Sequence, residues 1–223
     1  MIPYYSHNGI SIYHGDCRAL TLPEKPALIL ADPPYGDDHD TDYTRFSGGS
    51  KRADGGDWTR HAGERIAHDT VGFDPSHLLA LGTECILFGA NRYSDTLPCG
   101  SWLVWDKRSP GVEKSVMSDA EVAWWSRGRG VYIYDHMWDG FRRKTEQFLY
   151  IHPTQKPVAL MRWCLQRAKL APGALVYDPY MGSGPIAQAC KELGYRYVGV
   201  ELVEQYCNIA ARRLQQEVME LAS

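Results

Sequence analysis

Apolar positions in this chain fall into short blocks of two kinds, and their order argues a fold. Residues 27–31, 85–88, 174–177 and 196–200 are near-continuous apolar runs bounded by turn residues, the pattern of strands buried on both faces. A shorter run at 10–13 reads the same way, and the β-rich stretches 102–105 and 121–125 predict an antiparallel pair at a sheet edge. Helical spacing alternates with these blocks. It covers 75–81, opens again at 89–92, and is strongest over 158–169, where Leu160, Met161, Cys164, Leu165 and Ala168 share a face. Two more helices are predicted over 185–193 and 203–221, the last with an apolar stripe through Ile209, Leu214 and Val218. Strands alternating with helices predict an α/β fold, in which ligands gather at the carboxyl edge of the sheet.

Two segments escape the pattern. Residues 36–73 are polar and glycine-rich, and a loop of that length predicts a lid over a ligand. The cluster Asp37-Asp38-His39-Asp40 has no second set of ligands at matching spacing, so no metal is expected. Residues 107–150 are the second. Over 107–144 the eight bases Lys107, Arg108, Lys114, Arg127, Arg129, Arg142, Arg143 and Lys144 face five acids, a net +3 in a chain of net charge −3. Trp124, Trp125, Tyr132, Tyr134, Trp138 and Phe141 are interleaved with them, a composition suited to phosphate contacts and base stacking.

Length and composition then bound the class. With 223 residues and 44% hydrophobic content, one domain spanning 1–223 can bury a full core, with 36–73 and 107–150 as insertions. The first nine residues do not resemble a signal peptide, no apolar run is long enough to span a membrane, and the six cysteines form no C-x-x-C pair. Reduced, packed thiols and a cytoplasmic location are the expectation.

The chemistry sits at two strand ends. Asp32-Pro33-Pro34-Tyr35 follows the run 27–31, and the prolines stiffen the turn. Such a turn can aim the Asp32 side chain and the Pro33 carbonyl at one point beside the Tyr35 ring, a set suited to a planar base bearing an amino group. Far downstream, the run 174–177 leads into Asp178-Pro179-Tyr180-Met181-Gly182-Ser183-Gly184, then a helix, then a strand ending at Glu201. The glycines let backbone approach a ligand, and Glu201 lies 19 positions after Gly182, near the roughly 20-residue offset of a ribose-binding acid. A dinucleotide reading is weakened by Asp178, whose charge a pyrophosphate would oppose and an ammonium group would favour.

The tetrapeptide resembles the catalytic motif of amino-methylating DNA methyltransferases, which act on adenine-N6 or cytosine-N4. Asp178 to Gly184 is similar to that family's D-P-F-x-G-S-G, with Pro185 in place of the usual Thr. His152-Pro153-Thr154-Gln155-Lys156-Pro157 matches H-P-T-x-K-P, which in the family packs against the methionine end of the cofactor. The resemblance runs from about residue 10 to about residue 215, with the catalytic motif ahead of the cofactor motifs, the permuted order called the beta group.

That resemblance implies a Rossmann-like class I methyltransferase fold: a mostly parallel seven-stranded sheet flanked by helices, in circularly permuted order. It implies S-adenosyl-L-methionine as cofactor, with Asp32, Pro33, Pro34 and Tyr35 as the catalytic turn. The cofactor set would be Asp16, Asp32, His152, Thr154, Lys156, Asp178, Tyr180, Gly182, Ser183, Gly184 and Glu201. For Asp16, helix capping is an equal reading. DNA contacts are expected from Tyr43, Arg45, Lys107, Arg108, Arg142, Arg143 and Lys144, with Lys51, Arg52 and Arg60 further contacts from the lid. The implied reaction is site-specific methylation of a flipped adenine N6 in double-stranded DNA. Alternatives are cytosine-N4 methylation, for which Ser is preferred at position 32, methylation of RNA, an oxidoreductase, and a non-catalytic subunit of the same fold. Association in pairs and a partner restriction endonuclease accompany the family; no membrane partner is implied.

Overall fold

The structure, a computed structural model, describes residues 1–35, 72–109, 111–112, 118–138, 143–146 and 155–215. One sheet organises them. Its strands are β1 (Tyr5–His7), β2 (Ile10–His14), β3 (Leu28–Ala31), β4 (Glu84–Phe88), β5 (Ser101–Asp106), β6 (Ala120–Trp125), β7 (Val131–Asp135), β8 (Leu175–Asp178) and β9 (Arg196–Glu201). They lie in the order β1-β2-β9-β8-β3-β4-β6-β5-β7. Only β1 and β6 run against the rest.

The sheet thus has nine strands where seven were expected, because a short strand is added at each edge of the β2-to-β5 body. Tyr5–His7 has no apolar alternation to betray it. Val131–Asp135 does alternate, with Val131 and Ile133 outward and Tyr132 and Tyr134 inward. Its aromatics suit base contacts by composition, yet they pack inward. The predicted antiparallel pair of β5 and β6 forms, but not at an edge: β6 is threaded between β4 and β5, and β7 flanks β5.

Buried strands need cover on both faces, and the two cores show how it is supplied. Leu28 and Leu30 point to one face with Ile86 and Val176, under α2 (Val158–Ala168), α3 (Pro185–Leu193) and α4 (Glu204–Gln215). Ile29, Ala31, Leu87 and Val200 point to the other, under α1 (Ser76–Leu79) and the turns carrying Ala90 and Tyr93. The helix expected to open at 89–92 is a pair of short 3-10 turns, Ala90–Arg92 and Ser94–Thr96, since Gly89 enters with φ 68° and Tyr93 breaks the spiral at φ −137°. α3 obeys its sequence closely: Gly184 precedes it, Pro185 fills the first turn, where a lost amide costs nothing, and Gly194 closes it in the left-handed region. The residues beyond Gln215 in the last predicted helix lie outside the described residues.

Candidate active site

The parallel pairing of β3 with β8, Leu28 opposite Val176 and Ile29 opposite Tyr177, sends both motif turns out of the same sheet edge as neighbours. Asp32 and the Asp178 turn, separated by most of the chain, therefore share one crevice, as expected for the carboxyl edge of a doubly wound sheet. β2 pairs with β9 so that His14 faces Glu201, and the Gly15 amide donates to the Glu201 carbonyl at 2.9 Å. Asp16 thus emerges beside Glu201. Its carboxylate caps the turn Cys17–Ala19 through the Arg18 amide at 2.9 Å and pairs with the Arg18 guanidinium at 2.6 Å, so the capping role is realised.

Around Asp32 the contacts are dense. The Tyr35 hydroxyl donates to Oδ1, and Lys156 Nζ donates to Oδ2 at 2.7 Å and to the Tyr35 oxygen at 3.3 Å. Lys156 reaches this point from the start of α2, so the third motif joins the Asp32 turn itself. Its side chain is 6% exposed, and its second anion is Glu121 Oε2 at 3.2 Å. Lys107 in turn donates to Glu121 Oε1 at 2.9 Å. Burial works against the Lys156 charge, but Asp32 and Glu121 together hold its ammonium above the usual range. Burial likewise pushes the Glu121 carboxyl up, yet the charges of Lys156 and Lys107 prevail and hold it at about 2. Burial, then the Asp32 charge, raises the Tyr35 phenol well above its usual value, so it stays a donor. The ring of Tyr35 rests on Gly89, where any Cβ would overlap it.

The glycine turn is braced from β9. Glu201 accepts from the Gly182 amide and the Val203 amide, both at 2.8 Å, which ties the turn to the tip of the neighbouring strand. Burial raises the Glu201 carboxyl and these amides lower it. Asp178 is fully buried, accepting from the Tyr197 hydroxyl at 2.8 Å and the Tyr180 amide at 3.2 Å. Burial pushes its carboxyl to about 8 against the pull of those donors. Tyr180 bonds His77 Nε2 at 3.0 Å and packs edge-on to Phe73, forming an aromatic wall beside the turn. Ser183 is buried, and its carbonyl accepts from Arg213 at 3.0 Å.

Several expected contacts take other places. Lys107 is consumed in the Glu121 pair, so it is not exposed to a phosphate. Arg143 is buried, with its guanidinium 4.3 Å from the centre of the Trp138 ring, because the strand bridge between Trp138 and Arg143 folds it inward. Trp124, Trp125 and Trp138 are core residues rather than base wedges, and Tyr134 stacks on Trp163 of α2. Arg108 grips Asp106 at 2.6 Å at the protein surface, and Lys144 is exposed. Tyr43, Arg45, Lys51, Arg52, Arg60, Arg142, His152, Thr154 and the cluster 37–40 lie outside the described residues. Sequence reasoning missed Glu121, whose one signal was a charge at the head of an apolar strand, and also Tyr197, Phe73 and His77. The cysteines are free; Cys99 is exposed and Cys85, Cys164, Cys190 and Cys207 are buried. Burial pushes the Cys85 and Cys207 thiols to about 12, which removes them as nucleophiles at neutral pH.

Comparison with known proteins agrees with this geometry. Residues 128–212 match the model of the N6/N4 methyltransferase family, described as DNA methylase. The chain is 27% identical to the type II methyltransferase M2.DpnII of Streptococcus pneumoniae, over 96% of this chain and 93% of that protein. The fold matches the M1.HpyAVI–SAM complex with a TM-score of 0.51 at 22% identity, covering 92% of this chain and 99% of that one. It also matches the PvuII DNA methyltransferase (cytosine-N4-specific) with a TM-score of 0.60 at 14% identity, covering 97% and 90%. One sheet edge joins the Asp-Pro-Pro-Tyr turn to the braced glycine turn. The chain is similar to S-adenosylmethionine-dependent DNA amino-methyltransferases of the adenine-N6/cytosine-N4 family. Among the described residues no helix is long and apolar enough to cross a membrane.

Proposed function

We propose that the chain methylates the exocyclic N6 of an adenine flipped out of duplex DNA. The observation that carries this reading is Asp32 standing within one crevice of the Asp178–Gly184 turn, with a carboxylate where the cytosine-N4 enzymes prefer Ser. Asp32 and the Pro33 carbonyl accept hydrogen bonds from the target amino group, which localises the nitrogen lone pair otherwise spread into the ring. Pro34 keeps the turn rigid, so both acceptors are set before the base arrives. The base lies on the Tyr35 ring, which requires it to leave the helix. Bound S-adenosylmethionine supplies an electrophilic methyl group, and alignment accounts for much of the rate. The surplus proton leaves after transfer, to Asp32 or to water.

The residues present fit that cofactor. Gly182 and Gly184 keep the backbone open to close approach, and Glu201 and Asp16 offer acids at adjacent strand ends for ribose hydroxyls and the adenine amino group. Tyr180 and Ser183 line the turn between them. Asp178 beneath it is a buried acid held by a hydroxyl and a backbone amide, suited to an ammonium group above. His152 and Thr154 complete the set through the motif whose Lys156 meets Asp32. Contact with DNA phosphates is assigned to Lys144, Arg108, Arg142 and the lid residues Tyr43 and Arg45. The domain reading stands with it: one unit, 1–223, with 36–73 as lid and the loops of 107–150 as the recognition surface. Pairing of two copies and a partner restriction endonuclease belong to the same reading.

The deciding experiment is mass spectrometry of nucleosides from DNA methylated by the purified chain. N6-methyladenine is expected, and N4-methylcytosine would overturn the adenine assignment. Asp32→Ala is expected to lower the rate by about a thousandfold or more while cofactor affinity stays within a few fold. Parallel loss of both would make the carboxylate structural.

A further inference from the structure

We propose that Glu121, backed by Lys107, is a positioning residue for methyl transfer, acting on Asp32 through Lys156. The inference rests on the assignment of Asp32 as the acceptor of the target amino group. Four charges form an unbroken line: Lys107 to Glu121 at 2.9 Å, Glu121 to Lys156 at 3.2 Å, and Lys156 to Asp32 at 2.7 Å. The signs alternate, so the line is neutral as a whole. Its two lysines are poorly solvated, with side chains 6% exposed at Lys156 and 13% at Lys107, while Glu121 is 31% exposed. Such an arrangement is costly to bury and offers little net stability over apolar packing. Its value lies in the charge it fixes.

The reaction explains why balance matters. Methyl transfer carries positive charge from a sulfonium sulfur to the target nitrogen, which rests on Asp32. An ammonium held 2.7 Å from that carboxylate disfavours the arriving charge unless a second anion offsets it. Glu121 is that anion. It also shares the Lys156 protons, so that Asp32 keeps acceptor strength for the amino group. Topology places it there: β6 runs against β4, and the Gly89 amide donates to the Val122 carbonyl at 3.0 Å, so residue 121 arrives at the carboxyl edge next to the Tyr35 ring. A parallel strand in that place would begin at the far edge. Lys107, at the end of β5, fixes the outer oxygen of Glu121 and keeps the inner one turned toward Lys156.

The test is a double-mutant cycle in a methyl-transfer assay, using Glu121→Gln, Lys156→Met and the pair together, with kcat and the KM for S-adenosylmethionine measured for each. Glu121→Gln is expected to lower kcat by about tenfold or more, with that KM within about twofold. Added to Lys156→Met, it should cost no more than about twofold, since there is then no ammonium to balance. Unchanged kcat, or an equal loss in both backgrounds, overturns the proposal. Lys107→Met serves as a milder probe that leaves the inner pair intact; a kcat reduced about threefold supports the line, and parity with wild type opposes it. Asp32→Ala in the same assay separates the two readings. If it stays active, the acceptor assignment fails; if it is inactive while Glu121→Gln is normal, only the positioning role fails.

Discussion

A carboxylate in this crevice behaves according to what lies within about 3 Å of it. Asp178 and Glu121 are both acids at the same sheet edge, yet burial lifts the first to about 8, while two ammonium groups bring the second to about 2. The sign of the Asp178 shift has a consequence for stability. Its folded pKa lies above the unfolded carboxylate value, so the folded state holds a proton that the unfolded chain releases, and stability falls as pH rises from about 4 to about 8. Asp178→Asn removes that dependence. The melting temperature of the variant relative to wild type, followed without cofactor, should therefore climb across this window and level off above it. A difference that is flat with pH would show that Asp178 is ionised in the free protein. Gln155 and Glu146 illustrate the same local logic in a structural role: Glu146 accepts from the Val158 amide at 2.9 Å and from Gln155 at 2.8 Å, capping α2 and setting Lys156 in place.

Among elements, the central strands carry the stability and the edges carry little. Leu30 of β3 is fully buried between neighbours on both sides, and Leu30→Ala should cost about 2–5 kcal/mol in denaturant unfolding. Ile133 of β7, 69% exposed on the sheet edge, should tolerate Ala within about 0.5 kcal/mol. A large loss at Ile133 would mean that this face is covered in solution. The central elements were legible because their patterns are strong. Uninterrupted apolar runs marked β3, β4 and β8, and Gly-Pro and Gly punctuation set the ends of α3. The flanking strands were not, because β1 is three residues long and β7 shares its aromatic and basic composition with a nucleic-acid surface. Composition cannot tell an aromatic that faces a helix from one that faces solvent; Tyr134 against Trp163 decides it.

For the molecule as a whole, function follows from which ends of the strands coincide. Seven strands point one way, and β6 points back, so the loop between β5 and β6 and the segment after β7 open onto the edge that holds Asp32 and Gly182. A chain of net charge −3 must hold DNA through such a local lip rather than through its overall field. Lys144 is exposed there and Arg143 is buried beneath. Lys144→Ala should weaken DNA binding about equally for all sequences and reduce the salt slope by about 1, whereas Arg143→Ala should lower the melting temperature first. The reverse outcome, a stable Arg143→Ala with a reduced salt slope, would place that guanidinium on the phosphate backbone.

The amino-acid sequence alone determined the fold class and the motif turns, because each depends on local pattern: apolar runs, proline and glycine at fixed offsets, an acid at a strand tip; the cofactor followed from the resemblance those motifs carry. Tertiary structure alone decided the company each charge keeps. Lys156, a cofactor residue by its motif, meets Asp32; Lys107, a phosphate contact by composition, meets Glu121. Those pairings join residues up to 124 positions apart, and no local pattern encodes a distance across a sheet.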